Sequence, residues 1–216
     1  MRPLAKFAAG LVLVLGLLSF VSQARATVIW NEAINGNLSA SGSSPTAFTL
    51  SAGTNSIIGT VTGGTKPDDW VEFTIPSGLQ LSQDILDSYT STDQQGFTGV
   101  IAGSSYSGSI NTASAYLGYS HFGTGATNGS LPPTNLTGVD LLALMGNNVT
   151  ISAGSQGFTP PLPSGNYVFL IQQLGAQTNF QFDYVVTSVP EPSGLAPLCL
   201  VATMLLPITR KWARTV

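Results

Sequence analysis

The chain has little of what most functional arguments from sequence need. Cys199 is its single cysteine and His121 its single histidine. That excludes an internal disulfide framework, a cysteine-only zinc site and every paired-histidine metal motif. Charged residues make up 8% of the 216 positions, and bases are scarcest in the middle. Between Thr27 and Val189, Lys66 stands alone against nine acids: Glu32, Asp68, Asp69, Glu72, Asp84, Asp87, Asp93, Asp140 and Asp183. The net charge there is −8, while the whole chain reaches only −3 because six of its seven bases lie at the ends. So acidic a surface repels phosphate backbones, and no nucleic-acid partner is expected. Gly-x-Ser-x-Gly is absent too: Gly103-Ser104-Ser105 lacks the second glycine, so the strained nucleophile turn of a serine hydrolase is missing. No partner spacing supports chemistry at His121, and the expectation is that the protein is not an enzyme.

What the chain does have is concentrated at its two ends. Arg2 and Lys6 precede an apolar run from Phe7 to Val21, followed by Ala24-Arg25-Ala26. A basic start, a short greasy run and small residues at the two positions a signal peptidase reads predict a signal peptide over 1–26, cleaved after Ala26 rather than kept as an anchor. The far end reverses the order. Val189-Pro190-Glu191-Pro192 leads into an apolar run from Leu195 to Ile208, then a basic stop of Arg210, Lys211 and Arg214. As a helix this run spans about 21 Å, short of a hydrocarbon core of about 30 Å. Its cations hold the tail in the cytoplasm, and Pro197 and Pro207 weaken the helix. The expectation is a transient membrane anchor. Pro190 and Pro192 each fix φ and remove a donor, which keeps the stretch extended and accessible.

These residues, in this order and behind a signal peptide, resemble the PEP-CTERM sorting tail of Gram-negative bacteria over 189–216. The resemblance implies recognition of Val189, Pro190, Glu191 and Pro192 by an exosortase-type enzyme, removal of the tail, and release or transfer to the cell surface. It also implies an association with extracellular polysaccharide or biofilm. A eukaryotic lipid-anchor signal is the competing reading, opposed by the basic terminus and Pro-Glu-Pro.

The exported domain, 27–188, reads as all-β. Phe180, Phe182, Tyr184 and Val186 alternate with Asn179, Gln181, Asp183 and Val185, a half-buried strand over Thr178 to Thr187. Asn166 to Gln173 is apolar on both faces and so reads as a central strand, with Leu174-Gly175-Ala176-Gln177 as a hairpin loop between the two. Trp70 to Ile75 alternates, with Val71, Phe73 and Ile75 on one face. Thr46 to Leu50, Ser56 to Thr62 and Phe97 to Ala102 complete the strands. Gly138 to Met145 is the one helix, with Thr137 as N-cap and Gly146 as its stop. The expectation is an antiparallel β-sandwich with one short helix.

Three stretches are similar to the bacterial pre-peptidase C-terminal domain: Glu32 with Asn35-Gly36-Asn37-Leu38-Ser39, then Ile58-Gly59-Thr60-Val61, then Asp68 through Gly78. That resemblance covers about Thr27 to Gly103 and implies a jelly-roll-like sandwich with a binding role. It also implies a calcium site formed by Glu32, Asn37, Asp68 and Asp69. Adjacent carboxylates on a turn need a cation or solvent to screen them, and Ca²⁺ takes six to eight oxygens of this kind. Capping of the turn's own backbone by solvated aspartates is the alternative. Asp84, Asp87 and Asp93 lack EF-hand spacing and read as solvated acids. Trp30, Trp70, Tyr106, Tyr116 and Tyr119 are candidates for stacking on sugar rings, with the core as the default for each. The glycosylation-type triplets at Asn37, Asn128, Asn135 and Asn148 read as incidental. Together these features predict a noncatalytic surface or matrix protein, with a carbohydrate-binding module and a secreted hydrolase as alternatives.

Overall fold

The computed structural model describes residues 26–146 and 150–190. Ala24, Glu191, Pro192, Arg210, Lys211 and Arg214, and with them most of the signal peptide and the sorting tail, lie outside the described residues. Ala26 is exposed just before the first strand. No helix among the described residues is long and apolar enough to cross a membrane.

Among the described residues, nine strands form two sheets. One runs β1 (Thr27–Asn31), β3 (Gly53–Val61), β9 (Thr178–Ser188), β5 (Leu79–Ser91) in spatial order. The other runs β2 (Thr46–Thr49), β4 (Asp68–Ile75), β8 (Gly165–Gln172), β6 (Gly96–Ala102), β7 (Gly118–Phe122). From β1 to β6 the chain alternates between the sheets. Their inner faces meet in a core that includes Ile57, Leu81, Phe73, Phe169 and Phe182. Aromatic pairs cross the interface, Phe73 on Tyr184 at 4.4 Å and Phe122 on Phe182 at 5.1 Å. Each such side chain contributes about 1.5–3 kcal/mol by leaving water.

The sandwich is not wholly antiparallel. β1 pairs with β3, and β2 with β4, in parallel. The alternation is the cause: a chain that crosses to the other sheet and returns can re-enter its first sheet in the original direction. The same winding removes the expected hairpin. β8 and β9 are joined by a short loop but lie in different sheets, so that loop is a crossing. β8 is central to its sheet, as its two apolar faces predict.

The described residues hold two short helices rather than one, α1 (Glu32–Asn35) and α2 (Leu141–Met145), and a 3-10 turn at Ala113–Ala115. Thr137 does not cap α2. Gly138 takes a left-handed φ of 79° that interrupts the helix, and the cap is Asp140, whose Oδ1 accepts from Leu142 N at 3.0 Å. Gly146 ends α2. Leu141, Leu142 and Met145 are buried, and α2 packs on β5 and β7, closing the side of the sandwich where those two edge strands meet.

A second apolar cluster covers the outer face of the five-stranded sheet. Trp70, Ile101, Tyr116, Val168 and Leu170 are buried there, backed by Phe97, Tyr106, Ile110 and Tyr119. The loop between β6 and β7 folds over this face. Gly99 admits it, because a Cβ at that position would lie 2.6 Å from the Tyr116 ring.

Candidate functional site

Strand register places Asp68, Gln172, Phe97 and His121 directly opposite one another on β4, β8, β6 and β7. Side chains of directly paired residues project from the same face of a sheet. This row therefore shares the outer face with the Trp70, Leu170, Gly99 and Tyr119 row beside it, and Trp70, Leu170 and Gln172 are buried while Phe97 and His121 stay part-exposed. At the uncovered end a groove of 260 Å³ is lined by Gln95, Phe97, Ile110, Asn111, His121 and Gln172, among others. A neighbouring depression of 190 Å³ shares Phe97, Ile110 and Asn111 with it.

The polar groups of the groove are held from behind. Gln172 Nε2 donates to Asp68 Oδ1 at 2.7 Å. Thr127 fixes two side chains at once: its N–H donates to Gln95 Oε1 at 2.9 Å, and its carbonyl lies 2.8 Å from His121 Nδ1. A carbonyl only accepts, so Nδ1 carries a hydrogen, and in the neutral ring Nε2 presents a lone pair. No salt bridge to His121 is formed among the described residues, so the acid arm of a catalytic triad is not assembled on it.

The residues of the implied calcium site separate into three environments. Glu32 and Asp69 converge, but on Lys66. The ammonium lies 2.5 Å from Glu32 Oε1 and 2.6 Å from Asp69 Oδ1, and it donates to Thr60 O at 2.7 Å. Glu32 also accepts from Leu38 N at 2.6 Å and Thr60 N at 2.7 Å, which ties the α1 loop to β3. Asp68 is turned to Gln172, and Asn37 is exposed. This arrangement does not fit a divalent cation, because the two converging carboxylates already share the domain's own ammonium. Asp69 is fully buried. Its contact with Lys66 is a close ion pair rather than an aligned hydrogen bond, and Oδ2 has no partner. Burial above all, opposed by Lys66 and reinforced by Glu32, raises its pKa to about 7.

Asp84 corrects the reading of solvated acids. It is fully buried and neither carboxylate oxygen has a hydrogen-bond partner. Burial, and then the charge of Asp140, pushes its pKa well above the usual carboxylate range. Asp87 is exposed as expected, and Asp93 Oδ2 accepts from Ala176 N at 2.6 Å. Among the stacking candidates, Trp70 and Tyr116 are core residues. Trp30, Tyr106 and Tyr119 are half-buried, and Tyr119 lines the depression beside the groove. Asn128 is buried and serves the edge of β7, accepting from His121 N at 2.7 Å and donating to His121 O at 3.1 Å. The row through Phe97 and Gln172 has no signal in the linear sequence, because only strand pairing brings it together.

No family model matches the chain, and no curated protein is significantly similar to it.

Proposed function

We propose that this is a noncatalytic exported protein of the cell surface or extracellular matrix, sorted by an exosortase-type enzyme through its C-terminal tail. The observation that carries the reading is Val189-Pro190-Glu191-Pro192, the apolar run and the basic stop, in that order behind a signal peptide. The fold supports it. β9 ends at Ser188, and the Val189 N–H makes a final tie to Gly78 O at 2.9 Å. On this reading the proposed sorting motif begins where the last strand stops. Alternation of the strands between two sheets suits the jelly-roll-like domain that resembles the pre-peptidase family. The acidic domain suits solubility outside the cell. Mass spectrometry of secreted material tests the reading. The expected C-terminus lies near Pro-Glu-Pro, with Cys199 and everything from Leu195 missing. Recovery of a Trp212 peptide from the surface fraction would defeat it.

A further inference from the structure

We propose that the groove at the end of the Asp68–Gln172–Phe97–His121 row is a binding site for a neutral oligosaccharide. The proposal rests on the export reading only for where the site would meet such a polymer. Three side chains of the groove are pinned at one end and free at the other. Gln172 is held through Nε2, Gln95 through Oε1 and His121 through Nδ1. Gln172 Oε1, Gln95 Nε2 and His121 Nε2 make no hydrogen bond among the described residues, and neither does the side-chain amide of Asn111. The free set therefore holds two acceptors, one donor and one group that does both. Hydroxyls, which donate and accept together, match such a set. Pinning also lowers the ordering cost of binding.

Phe97 supplies the apolar element. Its ring is half-buried and backed by Tyr119 at 5.7 Å and Tyr116 at 5.9 Å. A half-buried aromatic ring beside amides offers an apolar surface for the C–H groups of a pyranose. Charge selects within the carbohydrates. Lys66, the one lysine or arginine of the domain, donates to Glu32 and Thr60 and is ion-paired with Asp69. No lysine or arginine lines the groove, and the domain around it carries a net charge of −8 with its histidine counted neutral, so a uronate or phosphate would be repelled. An added peptide strand is disfavoured, because the outer edge of β7 is already paired. Asn128 takes both backbone groups of His121, and Ser152 takes those of Tyr119.

The chain's single histidine provides the test, since its imidazole gives one unambiguous NMR signal from inside the groove. The full chain, purified in a detergent without a sugar headgroup, is titrated with cellohexaose, maltohexaose, laminarihexaose, mannohexaose and hexagalacturonate. At least one neutral hexasaccharide is expected to shift the signal saturably, and hexagalacturonate to leave it in place. Asn111→Ala, an exposed change that removes no internal side-chain bond, is expected to weaken binding about three- to ten-fold. Phe97→Ala is expected to weaken it about ten-fold or more. The assignment is overturned if no neutral hexasaccharide moves the signal, if hexagalacturonate moves it equally, or if Asn111→Ala titrates like wild type. Export is read separately from the mature C-terminus. A processed chain that ignores all the sugars loses this site, and an unprocessed chain that binds them loses the export reading.

Discussion

Asp69 and Asp84 make the domain's stability depend on pH in an unusual direction. Both carboxyls are raised by burial, Asp69 to about 7. Between the ordinary carboxylate range, about 3.9, and the folded value, the native state holds protons that the unfolded chain has lost. Stability is then fully present below the unfolded pKa and falls as pH rises through the folded one. The urea midpoint is expected to be higher at pH 5 than at pH 8. Relief of the general negative charge acts in the same direction, so Asp69→Asn and Asp84→Asn separate the causes. Each is expected to flatten the slope, and an unchanged slope in both would assign it to net charge alone. Lys66 carries the opposite risk. Lys66→Met leaves Glu32, whose side chain is 7% exposed, facing Asp69 without a cation. Stranding a buried charge in this way costs about 3–5 kcal/mol. Thermal unfolding at neutral pH measures this loss, and removing Glu32 and Lys66 together is expected to cost less than removing Lys66 alone.

At the scale of the elements, β7 shows how an exposed sheet edge is managed. It is the last strand of its sheet, and its outward backbone groups are taken by side chains: His121 by Asn128, and Tyr119 by Ser152. An open row of donors and acceptors would invite another chain. Asn128→Ala is expected to destabilise the domain by about 1–3 kcal/mol and to promote association, read by light scattering. A monomer of wild-type stability would contradict this role. β5 shows why some of the fold was not legible in the sequence. β9 and β4 announce themselves by strict alternation, but β5 contains register shifts between Leu81 and Gln83 and between Leu86 and Ser88. Its inward residues are therefore Leu81, Asp84 and Leu86, which follow no period of two. The bulge turns Asp84 into the core, where an unbroken strand would have aimed it outward. The parallel pairs are not legible in the sequence for a related reason, since alternation reports which face is buried and not which strand is the neighbour. The groove was half legible. Tyr119 and His121 attract attention by residue type, whereas Gln95, Gln172 and Phe97 gain meaning only from cross-strand register.

For the whole molecule, the division of charge states the same logic as the fold. Six of the seven bases sit at the two ends and the domain keeps one, so the parts proposed to engage membrane and sorting machinery are electrostatically distinct from the part proposed to be exported. The junction is sharp: β9 ends at Ser188, Val189 is tied to Gly78, and Pro190 donates no hydrogen bond. Between this point and the basic stop, Glu191 is the only charge. Proline on either side restricts its own φ, and on the sorting-tail proposal Glu191 is the one ionic handle a processing enzyme could grip. A charged hydrogen bond of this kind contributes about 1.5–3 kcal/mol, or roughly ten- to hundred-fold in recognition. Glu191→Ala is therefore expected to leave the precursor in the inner membrane while the domain folds normally, since a linker substitution away from the core changes stability by no more than about 0.5 kcal/mol. Fractionation of wild type and variant with a tag inside the domain reads the first effect, and the thermal midpoint of the purified chains reads the second. Equal release of both forms would show that Glu191 is not gripped, and recognition of the tail would then rest on its apolar run and basic stop alone.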